Sequence, residues 1–179
     1  GFVLQFTRRQ YRNWQMTASY KWSKLVGNGL RFNPIVTERR DLVQTRRGFL
    51  SSDQRHVFKG SATTIVPWAG GFRFGGVLRW QSGLPYSTLE RELAAEGPPR
   101  VRLAYVDGVP NDGQSESWWN LDLHIAKEWN LKAINLQLVL DVFNAFDDDA
   151  LQAWRVVDDH LVATRRYGRH FQIGLRLAL

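Results

Sequence analysis

Asp122, His124 and Glu128 recur at even spacing between Trp118 and Trp129, so an extended chain sets all three on one face. An imidazole beside two carboxylates could ligate a divalent metal or pass a proton. A tightly held metal wants three or four converging ligands and a supporting shell, and plain salt bridging satisfies the same groups. Asp147-Asp148-Asp149 has part of the composition of a calcium loop but lacks its alternating ligands and closing Glu, so it reads as a solvated turn. No Gly-x-Ser-x-Gly elbow accompanies His56 or His160, and no nucleophilic triad is expected. With no cysteine there is neither a disulfide framework nor a thiolate metal site. These residues call for no metal and no cofactor.

What positions them is a repeated alternation. Trp119, Leu121, Leu123, Ile125 and Trp129 point one way, and Asn120, Asp122, His124, Ala126 and Glu128 the other. Phe171, Ile173, Leu175, Leu177 and Leu179 form an apolar row opposite His170, Gln172, Gly174, Arg176 and Ala178. The same half-apolar pattern runs through Phe2 to Thr7, Trp14 to Ser23, His56 to Val66, Phe72 to Gln81 and Ile134 to Phe143. In the second of these the apolar row of Trp14, Met16, Ala18, Tyr20 and Trp22 begins and ends in Trp, a residue that favours membrane–water interfaces. A single alternating strand equally suits the edge of a soluble sandwich. About seven of them, each with one apolar and one polar face, suit a wall with lipid on one side and water on the other.

In bulk the chain looks soluble: the 179 residues are 44% hydrophobic with a mean hydropathy of −0.36. That does not argue against the wall, because only half of each strand would meet lipid. No run approaches the roughly 18 apolar residues of a membrane-spanning helix. Aromatic residues make up 13%, eight of them Trp, which fits interfacial girdles or a sandwich core. The net charge of +7 and pI of about 10.1 raise nucleic-acid binding. The arginines fall in turns and at alternate strand positions, without a basic helix or a stacking motif, so no nucleic-acid partner is expected.

Between strands the connections alternate short and long. Gln10–Asn13, Pro67–Gly71 and Asn130–Lys132 are short; 27–55, 83–117 and 147–168 are long. Long loops on one side and short turns on the other are the habit of outer-membrane barrels. In the third long segment, Trp154 to Tyr167 reads as a hairpin with Asp158-Asp159 at its tip. In the first, Arg39-Arg40 and Arg46-Arg47 could grip lipopolysaccharide phosphates bidentately, the ordinary alternative being solvated surface charge. One antiparallel register would set Arg73 opposite Glu128 and Arg79 opposite Asp122. Lys127 interrupts an apolar row near a turn, where its long side chain can snorkel. The expected fold is therefore all-β: an antiparallel up-and-down transmembrane β-barrel segment of about seven strands, an open curved sheet over residues 1–179 belonging to a larger barrel. Starting at Gly1 inside an alternating stretch, the chain reads as a processed or excised piece. Two raw sheet edges predict poor behaviour as a free monomer.

Particular wording accompanies the pattern. Ser19-Tyr20-Lys21-Trp22-Ser23-Lys24, Asp53-Gln54-Arg55-His56, Trp80-Gln81-Ser82-Gly83-Leu84-Pro85-Tyr86, Asn120-Leu121-Asp122-Leu123 and Asp141-Val142-Phe143-Asn144-Ala145-Phe146 occur in this order. Together with the terminal strand they resemble the C-terminal barrel of TonB-dependent outer-membrane receptors, especially the Oar-like group with a carboxypeptidase-regulatory-like domain. The resemblance covers nearly the whole chain. It implies the last seven or so of about 22 strands enclosing a plug, a Gram-negative outer-membrane location, and import of a scarce solute, small molecule or peptide. TonB would act only through the absent plug. It also implies that Gln172, Gly174, Leu177 and Leu179 form the signal read by the barrel-assembly machinery, with Leu179 standing where the family usually has Phe. On this reading Arg79, Asp122, His124 and Asp141 are the candidate lumenal contacts for solute. A passive porin-like or adhesin-type barrel, an outer-membrane enzyme with groups on the external rim, and a soluble basic sandwich are the competing classes.

Overall fold

The computed structural model describes residues 1–27, 47–93, 101–106, 110–132 and 134–178. In chain order the strands are β1 (Phe2–Tyr11), β2 (Trp14–Trp22), β3 (Val26–Gly27), β4 (Gly48–Phe49), β5 (His56–Val66), β6 (Phe72–Gln81) and β7 (Pro85–Leu93). They continue as β8 (Val101–Tyr105), β9 (Gly113–Gln114), β10 (Trp118–Leu131), β11 (Ile134–Phe143), β12 (Leu151–Val157), β13 (His160–Arg165) and β14 (His170–Ala178). The chain is all-β. Seven of these strands form one antiparallel sheet in the order β1-β2-β5-β6-β10-β11-β14, matching the seven expected from alternation. β1 and β14 are its two free edges and run in the same direction.

Short turns join the strands at one end. Arg12, at φ 56°, turns β1 into β2, and a single 3-10 turn, Pro67–Ala69, leads through Gly70 and Gly71 at φ 78° and 77° into β6. Left-handed backbone of that kind favours glycine, which lacks the Cβ that clashes there. The three long connections leave from the opposite end.

The register lines up every apolar row. Leu4 faces Tyr20, Tyr20 faces Phe58, and Phe58 faces Trp80. Trp80 then faces Trp119, Ile125 faces Leu140, and Leu140 faces Ile173. One face of the seven strands is thus predominantly apolar, with His56 and Thr64 among its few polar members, and its charged residues are Arg8 and Lys127, both toward the short-turn end. Seven strands at about 4.8 Å and eight residues at about 3.3 Å make a face on the order of 800 Å² in projection. Isolated monomers rarely leave more than roughly 300–600 Å² of apolar patch in the open. Here Phe171, Ile173, Leu175 and Leu177 are 64–74% exposed, and Trp14, Leu123 and Leu138 do not converge on a shared interior. The accessible surface of 12889 Å² compares with about 8,900 Å² for a globular monomer of this mass.

The second and third long connections differ from expectation. Residues 83–117 read as loop, yet β7 and β8 pair antiparallel there and β9 pairs with β7. The third does form the hairpin with Asp158-Asp159 at its tip, as β12 and β13. Both tip residues have positive φ, 47° and 64°, the type I′ geometry that suits the twist of a two-residue hairpin. β12 then lies parallel to β7, giving a second sheet in the order β13-β12-β7-β8. Between strands distant in sequence, that pairing leaves no local signature.

Candidate functional site

The polar face of the large sheet carries all four residues expected to contact solute, and the register decides which of them meet. His124 on β10 lies directly opposite Asp141 on β11, with Nδ1 2.6 Å from the carboxylate. Asp122, two residues up β10, accepts from the backbone N–H of Asn144 at 3.0 Å. Arg79 stands on β6 opposite Asn120, not Asp122. The expected β6–β10 register is off by two residues, so Arg73 faces Ala126 and reaches Glu128 only diagonally, at 3.5 Å. Packing explains the shift. The observed register sets Trp80 on Trp119, with ring centroids 5.8 Å apart, and Phe74 on Ile125. The other register would have set Phe74 on Lys127. Two exposed charge pairs at about 0.2–1 kcal/mol each do not outweigh that apolar match.

Above this face, where the long connections leave, the buried polar residues gather: Asp53, Ser82, Asn111, Ser115 and Asn144. Each is held by backbone, as burial requires. Asp53 accepts from Leu25 N–H at 2.7 Å and meets Arg55 at 3.3 Å. The Ser82 hydroxyl accepts from His56 N–H at 3.1 Å, and His56 Nδ1 lies 2.7 Å from the Tyr20 hydroxyl. Asn144 donates to the carbonyls of Asp148 and Tyr167, each at 3.0 Å, and accepts from Asp148 N–H at 3.1 Å. Sequence reading treated Asn144 as part of a motif and missed its role. A lone Asn closing an apolar strand was the available signal, since Asn tolerates left-handed backbone and bonds locally, and its φ is 51°.

These bonds tie the long connections to one another. Asn111 Nδ2 donates to Phe49 O, Ser115 Oγ donates to Ala153 O at 3.1 Å, and Arg91 N–H donates to Asp158 Oδ1 at 3.0 Å. Beneath them a cavity of about 120 Å³ is lined by Gln54, Gln81, Ser115, Trp118, Gln152 and Arg166, among others. The Arg166 guanidinium lies 3.6 Å over the Trp118 ring, and Gln54 Nε2 donates to Gln81 Oε1 at 2.6 Å. Amides, two serine hydroxyls, the Glu116 carboxylate and a cation–π pair can bind a polar group there.

The acidic run is not merely solvated. Asp147 accepts from Arg169 N–H at 2.7 Å, Asp148 from Trp119 and Ala150 N–H at 2.8 and 2.9 Å, and Asp149 from Arg165 at 2.6 Å. Among the described residues no three His, Asp or Glu side chains converge as metal ligands. Of the terminal-strand signal, Gln172, Gly174 and Leu177 sit on β14 opposite Asp141, Val139 and Leu136. A β-carbon on Gly174 would lie an ordinary 3.7 Å from Val139 Cβ, so packing alone does not demand glycine. Leu179, and Arg39, Arg40 and Arg46 of the first connection, lie outside the described residues. No protein-family model matches the chain, and no characterised protein matches it at a significant level.

Proposed function

We propose that this chain is part of the wall of a larger outer-membrane β-barrel, and that the whole barrel is a TonB-dependent receptor importing a scarce solute. The observation that carries the membrane reading is the distribution of residues over the apolar face. Its middle is uncharged and without Trp or Tyr, and those residues gather at its two ends. At the long-connection end Phe2 lies 5.8 Å from Trp22 and 5.9 Å from Tyr20, and Trp80 lies 5.8 Å from Trp119. At the short-turn end stand Tyr11, Trp14, Phe72 and Trp129. There Arg8 lies 4.2 Å over Trp14, and Lys127 Nζ lies 5.5 and 5.8 Å from the Phe72 and Trp129 rings. Cations so placed reach an interface with their charged ends while their stems cover apolar surface.

The spacing fits a bilayer. From Trp14 to Trp22 is about 27 Å along the strand and from Trp119 to Trp129 about 33 Å. Tilted by 35–45°, those lengths stand roughly 19–27 Å tall, against an apolar band of about 25 Å in outer-membrane barrels. The opposite face bears Lys21, Lys59, Arg73, Arg79, Asp122, Asp141 and Arg176, which belong against water. The receptor assignment rests on the ordered motifs and on this polar wall with its joined external connections.

The experiment is reconstitution of the chain into vesicles whose acyl chains carry bromine, a contact quencher of Trp. Strong quenching of Trp14, Trp80 and Trp119 fluorescence supports the membrane reading. A detergent-free, cooperatively folded monomer with unquenched Trp would overturn it. For the full-length protein, solute uptake that stops when TonB is deleted supports the receptor. Permeation that persists would select a passive pore instead.

A further inference from the structure

We infer that the polar face holds an oxyanion-binding patch built from Lys21, Lys59 and Arg79, so that the solute or solute group it takes carries phosphate or carboxylate. As a statement about imported solute this rests on the receptor reading above. The patch itself rests on register and charge. Lys59 on β5 lies directly opposite Arg79 on β6, and on its other side directly opposite Ser19 on β2. Lys21 follows two residues along in the row of Ser19, diagonal to Lys59. Three cations thus share one face within about 12 Å, two strand spacings across and two residues along.

Like charges directly opposite across a strand pair destabilise the sheet. The usual relief is a neighbouring carboxylate, and the face has three. All are engaged elsewhere: Asp141 with His124 at 2.6 Å, Glu128 with Arg73 at 3.5 Å, and Asp122 with Asn144 N–H at 3.0 Å. Among the described residues Lys21, Lys59 and Arg79 make no ion pair. Asn120, opposite Arg79, adds a neutral donor to the same row, and Ser61, two residues beyond Lys59 and opposite Val77, adds one to the next. An ammonium with a guanidinium directly opposite it, a second ammonium diagonal to it and a few neutral donors nearby match a ligand with several anionic oxygens, which Arg can take bidentately. Of the four residues expected at the solute site, Arg79 therefore contacts the ligand, while the His124–Asp141 pair is already self-satisfied.

The test is calorimetric titration of citrate and of inorganic pyrophosphate into the chain held in non-ionic maltoside micelles, with folding checked by circular dichroism. The wild-type chain should bind at least one of them. Lys59→Gln with Arg79→Gln should weaken that binding by about tenfold or more, the loss of two charge-assisted contacts. Arg176→Gln, a charge removal elsewhere on the same face, should change it less than about twofold. Preference for pyrophosphate or for citrate distinguishes a phosphate-bearing from a carboxylate-bearing ligand. Absence of binding by the folded wild type, or an equal loss in Arg176→Gln, overturns the patch. The bromolipid experiment stands apart from this one: quenching without anion binding sinks the patch and spares the membrane reading. Anion binding by a chain that does not insert does the reverse.

Discussion

Gly83 and the carbonyl oxygen of Ser115 approach so closely that a β-carbon on Gly83 would fall 1.7 Å from that oxygen. This contact brings the start of the second long connection against its end, where Ser115 N–H donates to Leu84 O at 2.9 Å. Gly83→Ala forces the two segments apart, with an expected cost of about 2–4 kcal/mol. The urea midpoint of the chain in micelles, compared with a Gly174→Ala control that has room for its methyl, measures it.

Asn144 is 4% exposed and spends its whole amide on the backbone of the third connection. Asn144→Ala removes three hydrogen bonds and leaves the carbonyls of Asp148 and Tyr167 without donors, an expected loss of about 2–4 kcal/mol. Asn144→Gly loses the same bonds but relieves the left-handed backbone, and so is expected to cost about 1 kcal/mol less than the alanine. Urea midpoints in that order check the assignment. Equal midpoints would mean that the bonds contribute little.

Leu140 and Gln137 lie on β11 and point to opposite faces. On the membrane reading Leu140 is at mid-band, and Leu140→Arg is expected to weaken vesicle insertion by about 2–4 kcal/mol. Gln137→Arg, facing water, should insert nearly as the wild type does. A gel-mobility assay of folded against unfolded chain in vesicles reads both.

Asp158 joins the third connection to the second. Its ion pair with Arg91 is exposed, Arg91 being 66% accessible, and contributes little. The bond from Arg91 N–H to its carboxylate and the turn geometry matter more. Asp158→Asn should be close to neutral, whereas Asp158→Ala is expected to cost about 1–2 kcal/mol locally. Hydrogen exchange at Leu89 to Arg91 should accelerate in the alanine variant alone.

Strand faces were legible because period-2 alternation is a local property: Trp14, Leu78, Leu123 and Leu175 could each be assigned from a few neighbours. The register of β6 against β10 was not, because it was read from Arg79 and Asp122, two charges that water and Asn144 satisfy, and not from Trp80 and Trp119. The second sheet was hidden for a different reason. Leu89 is 2% exposed, but it sits among Thr88, Glu90 and Arg91, so β7 shows no apolar row. Its parallel partner, β12, is more than sixty residues away. Of the candidate site, the choice of face was readable. The pairing of His124 with Asp141 needed the register, and the anchoring by Asn144 needed the backbone.

Because β1 and β14 point the same way, two copies standing side by side in one orientation would meet along a parallel seam. An antiparallel seam needs one copy turned upside down, which in a bilayer would put its long connections on the opposite leaflet. Sideways growth into ribbons is thus disfavoured by direction alone, however sticky the margins. Any wall that closes the circle with antiparallel joints on both sides must supply an odd number of staves.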